Sequence, residues 1–305
     1  MENLVTLADL ELEDIEELFD LTDKLKQKHQ QGTEHKLLAG QTLGMIFQKS
    51  STRTRVSFEA GMFQLGGHAL FLSANDIQLG RGETISDTAK TLSRYIDGIM
   101  IRTYEHSDVE ELAREATVPV INGLTDLLHP CQVLADLYTV QEVRGELQGL
   151  KMTYIGDGNN VANSLLLGTT KVGMNISLAI PEGYRPEKEI LATAEKQAAK
   201  SGSQIEIIDD PLQAAQGADA VYTDVWASMG DEDEAAERKQ AFKDYQVDQE
   251  LMAEANEEAI FLHCLPAYRG QEVTAEVIDG EQSKVFDEAE NRMHVQKALM
   301  VELMK

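Results

Sequence analysis

A short polar stretch, residues 47–55, has the residue types of a phosphate site, since it holds two arginines and several hydroxyl groups. The apolar run before it predicts a strand, and the apolar spacing after it predicts a helix. That spacing is set by Val56, Met62, Phe63 and Leu65. Ser51 or Thr52 then stands at the helix start, where backbone N–H groups and the helix dipole favour an anion. Arg53 and Arg55 add guanidinium forks that match phosphate oxygens, although a basic first turn on a solvated helix face is the alternative.

Three further polar residues carry donors suited to negative charge on a carbonyl oxygen. Arg102 ends the apolar run Ile99–Ile101, and its guanidinium suits oxygen acceptors. His129 precedes Pro130, which fits the first position of a helix, so we expect the histidine at a helix start. A neutral imidazole there, or the amide of Gln132, can polarise a carbonyl as an oxyanion hole does. The simpler interpretations are a surface arginine and a structural histidine.

Two other chemistries fit parts of the sequence less well. The turn Gly156–Asn160 follows a predicted strand, as a dinucleotide-binding turn does, but Val161 stands where the third glycine belongs. Glu182, the acidic residue after the next strand, lies beyond a proline and is a doubtful ribose contact. Cys264 follows His263, which suggests a thiol nucleophile and its base. Neighbours in an extended segment point in opposite directions, which weakens that pairing.

The pattern of short apolar runs alternating with amphipathic stretches predicts an α/β protein with parallel sheets flanked by helices. The predicted strands are Thr42–Phe47, His68–Leu72, Gly98–Ile101, Val118–Ile121, Met152–Ile155, Ile176–Ile180, Gln204–Ile208, Ala220–Thr223 and Ile260–Leu262. Helices are predicted around Ile15–Leu25, from near Thr52, Thr84 and Ser107, over Val133–Val143, from Pro186 and Pro211, and over Glu288–Leu303. We expect two domains: residues 1–132 joined by the C-terminal helix 286–305, and residues 148–285, with an interdomain helix at 133–147.

Six polar residues each come shortly after a predicted strand. They are Ser51, Arg102, His129, Asp157, Asp224 and His263. Ligands of open parallel sheets bind beyond the carboxyl ends of the strands. We therefore expect the active site in a cleft between the two domains.

The composition argues against several classes of partner. The chain has 53 acidic and 27 basic residues and a net charge of −26, which argues against nucleic acid and anionic membranes. Whether the excess carboxylate reflects a salt adaptation or only a soluble surface is open. The sequence shows no transmembrane run and no signal-peptide pattern, and its two cysteines make a reducing cytoplasm the expected compartment. Two cysteines and seven histidines show no metal-ligand spacing, so we expect neither a disulfide nor a bound metal.

Four sequence blocks together resemble the aspartate and ornithine carbamoyltransferase family. They are Ser51–Arg55, His129–Gln132, Asp224–Gly230 and His263–Pro266, and they stand in the family's order. The first is similar to the carbamoyl-phosphate motif and the third to the ornithine-binding loop, and the similarity extends over essentially the whole chain. The resemblance implies transfer of the carbamoyl group of carbamoyl phosphate to the δ-amine of L-ornithine, giving L-citrulline and phosphate without a cofactor.

The resemblance also implies which residues carry the reaction. Those contacting carbamoyl phosphate would be Ser51, Thr52, Arg53, Thr54, Gln78, Arg102, His129, Gln132, Cys264, Leu265 and Arg292. Those contacting ornithine would be Asn160, Asp224, Ser228 and Met229. The catalytic residues would be Arg102, His129, Asp224 and Cys264. The last two would help the amine, whose ordinary pKa is about 10.4, to lose its proton. The simpler interpretations are a capping aspartate, an inert cysteine and, for Arg292, an exposed residue.

Alternatives within the family differ in the acceptor. Aspartate would need a basic acceptor pocket, putrescine would need no groups for an α-carboxylate, and acylated ornithine would need an altered pocket. The Ser228–Gly230 segment favours ornithine. Tyr268 stands where the family frequently has histidine, a mild departure. A non-enzymatic relative should have lost some of these polar residues. Members of the family commonly form trimers, so the resemblance also implies a homotrimer or a multiple of trimers.

Overall fold

The computed structural model describes residues 1–227 and 234–305. These divide into two compact units, one formed by Met1–Ala135 with Glu290–Lys305 and the other by Asp136–Ala289. Each unit contains a parallel sheet with flanking helices, so the predicted α/β fold class is confirmed.

The first unit is built on four parallel strands. They are β1 (Thr42–Phe47), β2 (His68–Ser73), β3 (Gly98–Arg102) and β4 (Val120–Leu124). Their order in the sheet is β2-β1-β3-β4. The register of β1 and β3 sets Phe47 beside Arg102, so the polar residues that follow both strands leave the same edge of the sheet.

The second unit is built on five parallel strands. They are β5 (Lys151–Ile155), β6 (Asn175–Ala179), β7 (Ile205–Ile208), β8 (Ala220–Thr223) and β9 (Ile260–Leu262). Their order is β7-β6-β5-β8-β9. The central strands β5 and β8 are almost wholly buried, as interior strands of a parallel sheet flanked by helices are.

Twelve helices connect and cover the strands of the described residues. In chain order they are α1 (Leu12–Gln30), α2 (Arg53–Gln64), α3 (Ile85–Leu92), α4 (His106–Glu115), α5 (Pro130–Arg144), α6 (Asn160–Lys171), α7 (Lys188–Ser201), α8 (Pro211–Ala215), α9 (Ala235–Ala241), α10 (Gln249–Glu254), α11 (Ala275–Ile278) and α12 (Val285–Met304). Short 3₁₀ turns lie at Leu7–Asp9 and Gln78–Arg81. None of the described helices combines the length and the apolar character needed to span a bilayer.

Local sequence signals explain several helix boundaries. Pro130 and Pro211 occupy the first positions of α5 and α8, where the missing N–H removes no helical hydrogen bond. The Thr84 hydroxyl accepts from the backbone N–H of Asp87 and so caps α3, close to the predicted helix start. The buried face of α1 consists of residues at helical spacing within the predicted segment: Ile15, Leu18, Phe19, Thr22 and Leu25.

Three local predictions are wrong. Pro186 does not open a helix, because α7 begins two residues later with Glu187 at its N-cap. Val56 and Phe63 are 57% and 80% exposed, because α2 buries instead a face containing Phe58 and Met62. Strand β4 begins at Val120 rather than Val118 and continues to Leu124. In each case an apolar residue or a proline fitted the local pattern while the packing selected a different face or boundary.

Candidate active site

Arg292 links two of the predicted site residues in the first unit. Its Nη1 donates to Oε1 of Gln132, and its Nη2 donates to Oγ1 of Thr54 at 2.8 Å. The residue is 3% exposed, so the interpretation of Arg292 as an ordinary exposed arginine is wrong. Its Nε is buried without an acceptor among the described residues. This guanidinium therefore retains a donor beyond those that hold Gln132 and Thr54.

His129 lies at the start of α5, as its proline neighbour predicts, and it is buried. Burial lowers its pKa well below 6.5, and the positive charges of Arg292, Arg102 and Arg53 lower it further. The imidazole is therefore neutral near pH 7. Three guanidinium groups acting on one neutral imidazole create a local positive field that can hold an oxyanion, in a chain of large net negative charge.

The two arginines of the polar stretch have different surroundings at the start of α2. The Ser51 hydroxyl accepts from the backbone N–H of Thr54 at 3.2 Å, while Thr52, immediately before the helix, makes no side-chain cap. Arg53 is within electrostatic reach of His129. Arg55 is exposed, pairs with Glu59 at 2.9 Å and lies over the Phe71 ring. Arg53 is thus the arginine of this stretch that belongs to the positive site.

Gln78 is not tied to this cluster by any contact of its side chain. It begins the 3₁₀ turn Gln78–Arg81 and is exposed, and its side chain has no hydrogen bond to another described residue.

Lys49 is a buried residue near this site that no sequence motif singles out. It is 8% exposed, pairs with Asp126 and lies 4.4 Å from the centre of the Tyr104 ring. Its place directly after β1 was the available signal, because that edge of the sheet also carries Arg102.

In the second unit, the Asp224 carboxylate is held by three donors. Its Oδ1 accepts from the backbone N–H of Val225 at 2.8 Å and from the Cys264 thiol at 3.1 Å. Its Oδ2 accepts from Nδ2 of Asn159 at 2.8 Å. Asp224 follows β8 and Cys264 follows β9, so adjacent parallel strands bring the two together. Three donors fix the direction of this carboxylate, which suits it to receive an ammonium group.

The geometry disfavours a thiol nucleophile at Cys264. Desolvation raises the pKa of its thiol well above 9, and the adjacent Asp224 raises it further. His263 cannot serve as its base through Nδ1, because that nitrogen accepts from the backbone N–H of Leu265 at 2.9 Å. The other ring nitrogen faces Glu272 at 3.2 Å. Cys264 is therefore a protonated hydrogen-bond donor.

Leu265 adopts an uncommon backbone conformation beside this thiol. Its φ of 57° lies in the left-handed region, which side chains other than glycine seldom adopt. The His263 acceptor holds the Leu265 N–H in that conformation. Such an outlier costs about 1–3 kcal/mol and is typical of functional segments.

The turn before α6 is filled by the chain itself rather than left open for a dinucleotide. A Cβ at Gly158 would meet the carbonyl oxygen of Tyr184 at 2.4 Å. The Gly158 N–H donates to that same oxygen at 2.9 Å. The first free N–H groups of α6 are capped by Oδ1 of Asn159. Asn160, predicted to contact ornithine, is the first residue of the helix and is half-buried.

Asp157 has a protein counter-ion that sequence reasoning missed. Nη1 of Arg238 donates to Oδ2 of Asp157 at 2.7 Å and to the carbonyl oxygen of Trp226 at 3.2 Å. Arg238 therefore joins the turn after β5 to the segment after β8. Ser228 and Met229, the other predicted ornithine contacts, lie outside the described residues.

One trio of potential metal ligands occurs among the described residues. Single ligand atoms of Asp224, His263 and Cys264 lie within 4.8 Å of one another. The hydrogen bonds above already engage the thiol, both ring nitrogens and both carboxylate oxygens. Each member of the trio thus already has a protein hydrogen-bond partner, and its chemistry fits the handling of an amine.

Comparison with known proteins covers both units. The family profile described as the carbamoyl-P binding domain of aspartate/ornithine carbamoyltransferase matches residues 2–142, and that of the Asp/Orn binding domain matches residues 148–303. Ornithine carbamoyltransferase of Oceanobacillus iheyensis is 59% identical over 99% of this chain and 94% of its own. That of Carboxydothermus hydrogenoformans is 56% identical over 99% and 97%. The solved structure of ornithine carbamoyltransferase from Pyrococcus furiosus is 53% identical, with a TM-score of 0.97 over 99% of this chain and 97% of the other.

Proposed function

This chain belongs to the aspartate/ornithine carbamoyltransferase family and is therefore a carbamoyltransferase, and we propose that it transfers the carbamoyl group to L-ornithine. In the proposed reaction the free δ-amine attacks the carbonyl carbon of carbamoyl phosphate. A C–N bond forms, the C–O bond to phosphate breaks, and the nitrogen loses a proton. The products are L-citrulline and phosphate, and the leaving group needs no cofactor to activate it.

The observation that carries this proposal is the convergence of three arginines on a neutral, buried His129. Carbamoyl phosphate presents a dianionic phosphate next to a carbonyl whose oxygen gains charge as the amine attacks. Guanidinium forks suit the first group, and a neutral donor beside Arg102 suits the second. A positive site with a neutral histidine therefore suits both the phosphate and the carbonyl oxygen of this substrate.

We assign the phosphate to the start of α2 and the carbamoyl group to the residues around His129. Ser51, Thr52, Arg53 and Thr54 would hold the phosphate, with Gln78 as a further contact. Arg102, His129, Gln132 and Arg292, together with Cys264 and Leu265, would hold the carbamoyl group. Arg292 supports this assignment because it already fixes Gln132 and Thr54 in one arrangement. Preorganised donors of this kind need not reorganise as charge develops.

We assign the acceptor to the second unit. Asp224 would receive the δ-nitrogen, and the Cys264 thiol would donate rather than attack. Asn160, Ser228 and Met229 would contact the amino-acid end of ornithine. The carboxylate and the thiol differ in role because the first accepts from the amine while the second is protonated.

We further propose that the enzyme is a homotrimer, or a multiple of trimers, that acts in arginine metabolism in the cytoplasm. Exposed apolar side chains on α2 and β2 support self-association through the first unit: Val56, Phe63, Leu70 and Phe71. Two free cysteines are compatible with a reducing compartment.

The test is carbamoyl transfer from carbamoyl phosphate to L-ornithine, putrescine, L-aspartate and N-acetyl-L-ornithine at matched concentrations. We expect citrulline from ornithine far ahead of every other product. Preference for another amine would overturn the acceptor assignment and leave the phosphate assignment standing. Failure to transfer to any acceptor, with carbamoyl phosphate still bound, would support a non-enzymatic relative.

A further inference from the structure

The Asn159 side chain joins the cap of α6 to the carboxylate of Asp224. Its Oδ1 accepts from the backbone N–H groups of Val161 and Ala162, at 2.9 and 3.2 Å. Its Nδ2 donates to Oδ2 of Asp224 at 2.8 Å, across 65 residues of sequence. The amide orientation follows from these partners, because a flipped amide would set its NH₂ against two N–H donors and its oxygen against a carboxylate.

The hydrogen bonds of Asp224 leave acceptor capacity on one oxygen in particular. A carboxylate offers about four lone-pair positions, two on each oxygen. Val225 and Cys264 both donate to Oδ1, whereas Oδ2 accepts from Asn159 alone among the described residues. The remaining position therefore lies on Oδ2, the oxygen whose direction is set by Asn159.

We propose that Asn159 is a positioning residue that aims Oδ2 of Asp224 at the reacting nitrogen of the acceptor. This inference rests on the proposed function, since it is the δ-amine of ornithine that Oδ2 would receive. Asn159 sits beside Asn160, the predicted ornithine contact, but it acts through Asp224. Because the same side chain caps α6, the helix becomes the fixed frame against which the carboxylate is oriented.

Three substitutions separate the two hydrogen-bonding roles of Asn159. Asn159→Ser keeps a good N-cap acceptor and removes the amide donor, whereas Asn159→Ala removes both. Asn159→Asp also keeps the cap but places a second carboxylate beside Asp224. In each variant we would measure the thermal unfolding midpoint, kinetic constants for both substrates and the inhibition constant of L-norvaline, which is ornithine without the δ-amine.

For Asn159→Ser we expect kcat/KM for ornithine to fall about 10- to 100-fold, the range for losing one hydrogen bond to a charged group. The unfolding midpoint, the KM for carbamoyl phosphate and the inhibition by norvaline should stay near their wild-type values. For Asn159→Asp, in which a second carboxylate replaces the amide donor to Oδ2, we expect a loss in kcat/KM for ornithine of the same order. An equal loss for ornithine and norvaline, or no loss for either, would overturn the proposal.

A readout that needs no turnover separates this inference from the proposed function. The Cys264 thiol donates to Asp224, and the carboxylate raises the pKa of that thiol. If Asn159→Ser lets the carboxylate turn away, the thiol pKa falls and alkylation by iodoacetamide at fixed pH speeds up. The expected gain is about threefold per pKa unit, because a larger thiolate fraction is partly offset by a weaker nucleophile. Peptide mass spectrometry distinguishes Cys264 from the buried Cys131. An unchanged alkylation rate in Asn159→Ser would contradict the positioning role, whether or not the enzyme acts on ornithine. A wild-type protein that does not act on ornithine would contradict only the proposed function.

Discussion

The Cys264 thiol donates a hydrogen bond to Oδ1 of Asp224 at 3.1 Å, across 40 residues of sequence. Desolvation, together with the adjacent Asp224 carboxylate, keeps the pKa of the thiol well above its usual value of 9. Cys264 is therefore a hydrogen-bond donor rather than a nucleophile. The Asp224 carboxylate beside it can bind a cation. The relationship decides between amine recognition and covalent catalysis, two chemistries that the sequence left open.

The first prediction concerns the replacement of Cys264 by serine. Because serine keeps an O–H donor for Asp224, Cys264→Ser should retain kcat/KM for ornithine within about tenfold, whereas Cys264→Ala should lose more, in the range expected for one hydrogen bond to a charged group. Steady-state kinetics with ornithine would check this order. A serine variant as inactive as the alanine variant would point instead to a requirement for the thiol itself.

The second prediction uses the two arginines of α2 as a matched pair. Arg53→Ala should cripple turnover, with a rise of about 100-fold or more in the dissociation constant of carbamoyl phosphate, because a charged guanidinium contact to the phosphate is lost. Arg55→Ala should change this constant little, because Arg55 is exposed and paired with Glu59. Both variants should keep the wild-type circular dichroism. Near-normal turnover in Arg53→Ala would contradict the phosphate assignment.

Much of the fold follows from apolar patterning, because a buried parallel strand is marked by a short uninterrupted apolar run. Strands β1, β8 and β9 have the predicted bounds, and the others differ by one to three residues at an end. Patterning failed where several faces of a segment were apolar. Phe63 fits the helical spacing but lies on the exposed side of α2.

The candidate site was predictable where a residue belongs to a contiguous motif and unpredictable where its role depends on a distant partner. His129 and Cys264 stand in recognisable blocks. Asn159 caps a helix in a way that sequence suggests, but its second partner is Asp224, 65 residues away. Arg238 lies 81 residues from Asp157. The first pair meets because β5 and β8 are adjacent in the sheet, and the second depends on where α9 packs.

The third prediction concerns the protonation of His129. Burial and three arginines lower its pKa well below 6.5, so its imidazole should stay neutral across the neutral pH range in the free protein. Inorganic phosphate bound among these arginines should offset their charge and raise the His129 pKa. Nuclear magnetic resonance of ¹⁵N-histidine, assigned with His129→Gln, would follow both titrations. A pKa near 6.5 in the free protein, or one insensitive to phosphate, would contradict this electrostatic account.

The fourth prediction concerns acid stability in the first unit. His294 is buried, and desolvation lowers its pKa from 6.5 to about 4. The unfolded chain therefore binds a proton at this residue before the folded chain does, so the stability contributed by neutral His294 should be present above pH 6.5 and lost as pH falls toward about 4. The free energy of unfolding of His294→Asn should depend less steeply on pH across that window. Equal slopes for the two proteins would show that His294 does not titrate differently on folding.

The most direct test of carbamoyl transfer to the δ-nitrogen is to follow the bond that forms. Carbamoyl phosphate labelled with ¹³C at the carbonyl and ornithine labelled with ¹⁵N at the δ-position would be mixed with the enzyme and observed by nuclear magnetic resonance. We expect a product whose ¹³C carbonyl signal is split by directly bonded ¹⁵N, with one phosphate released per molecule formed. Phosphate release without a split signal, with the ¹³C found on another nitrogen or in carbamate, would contradict this expectation.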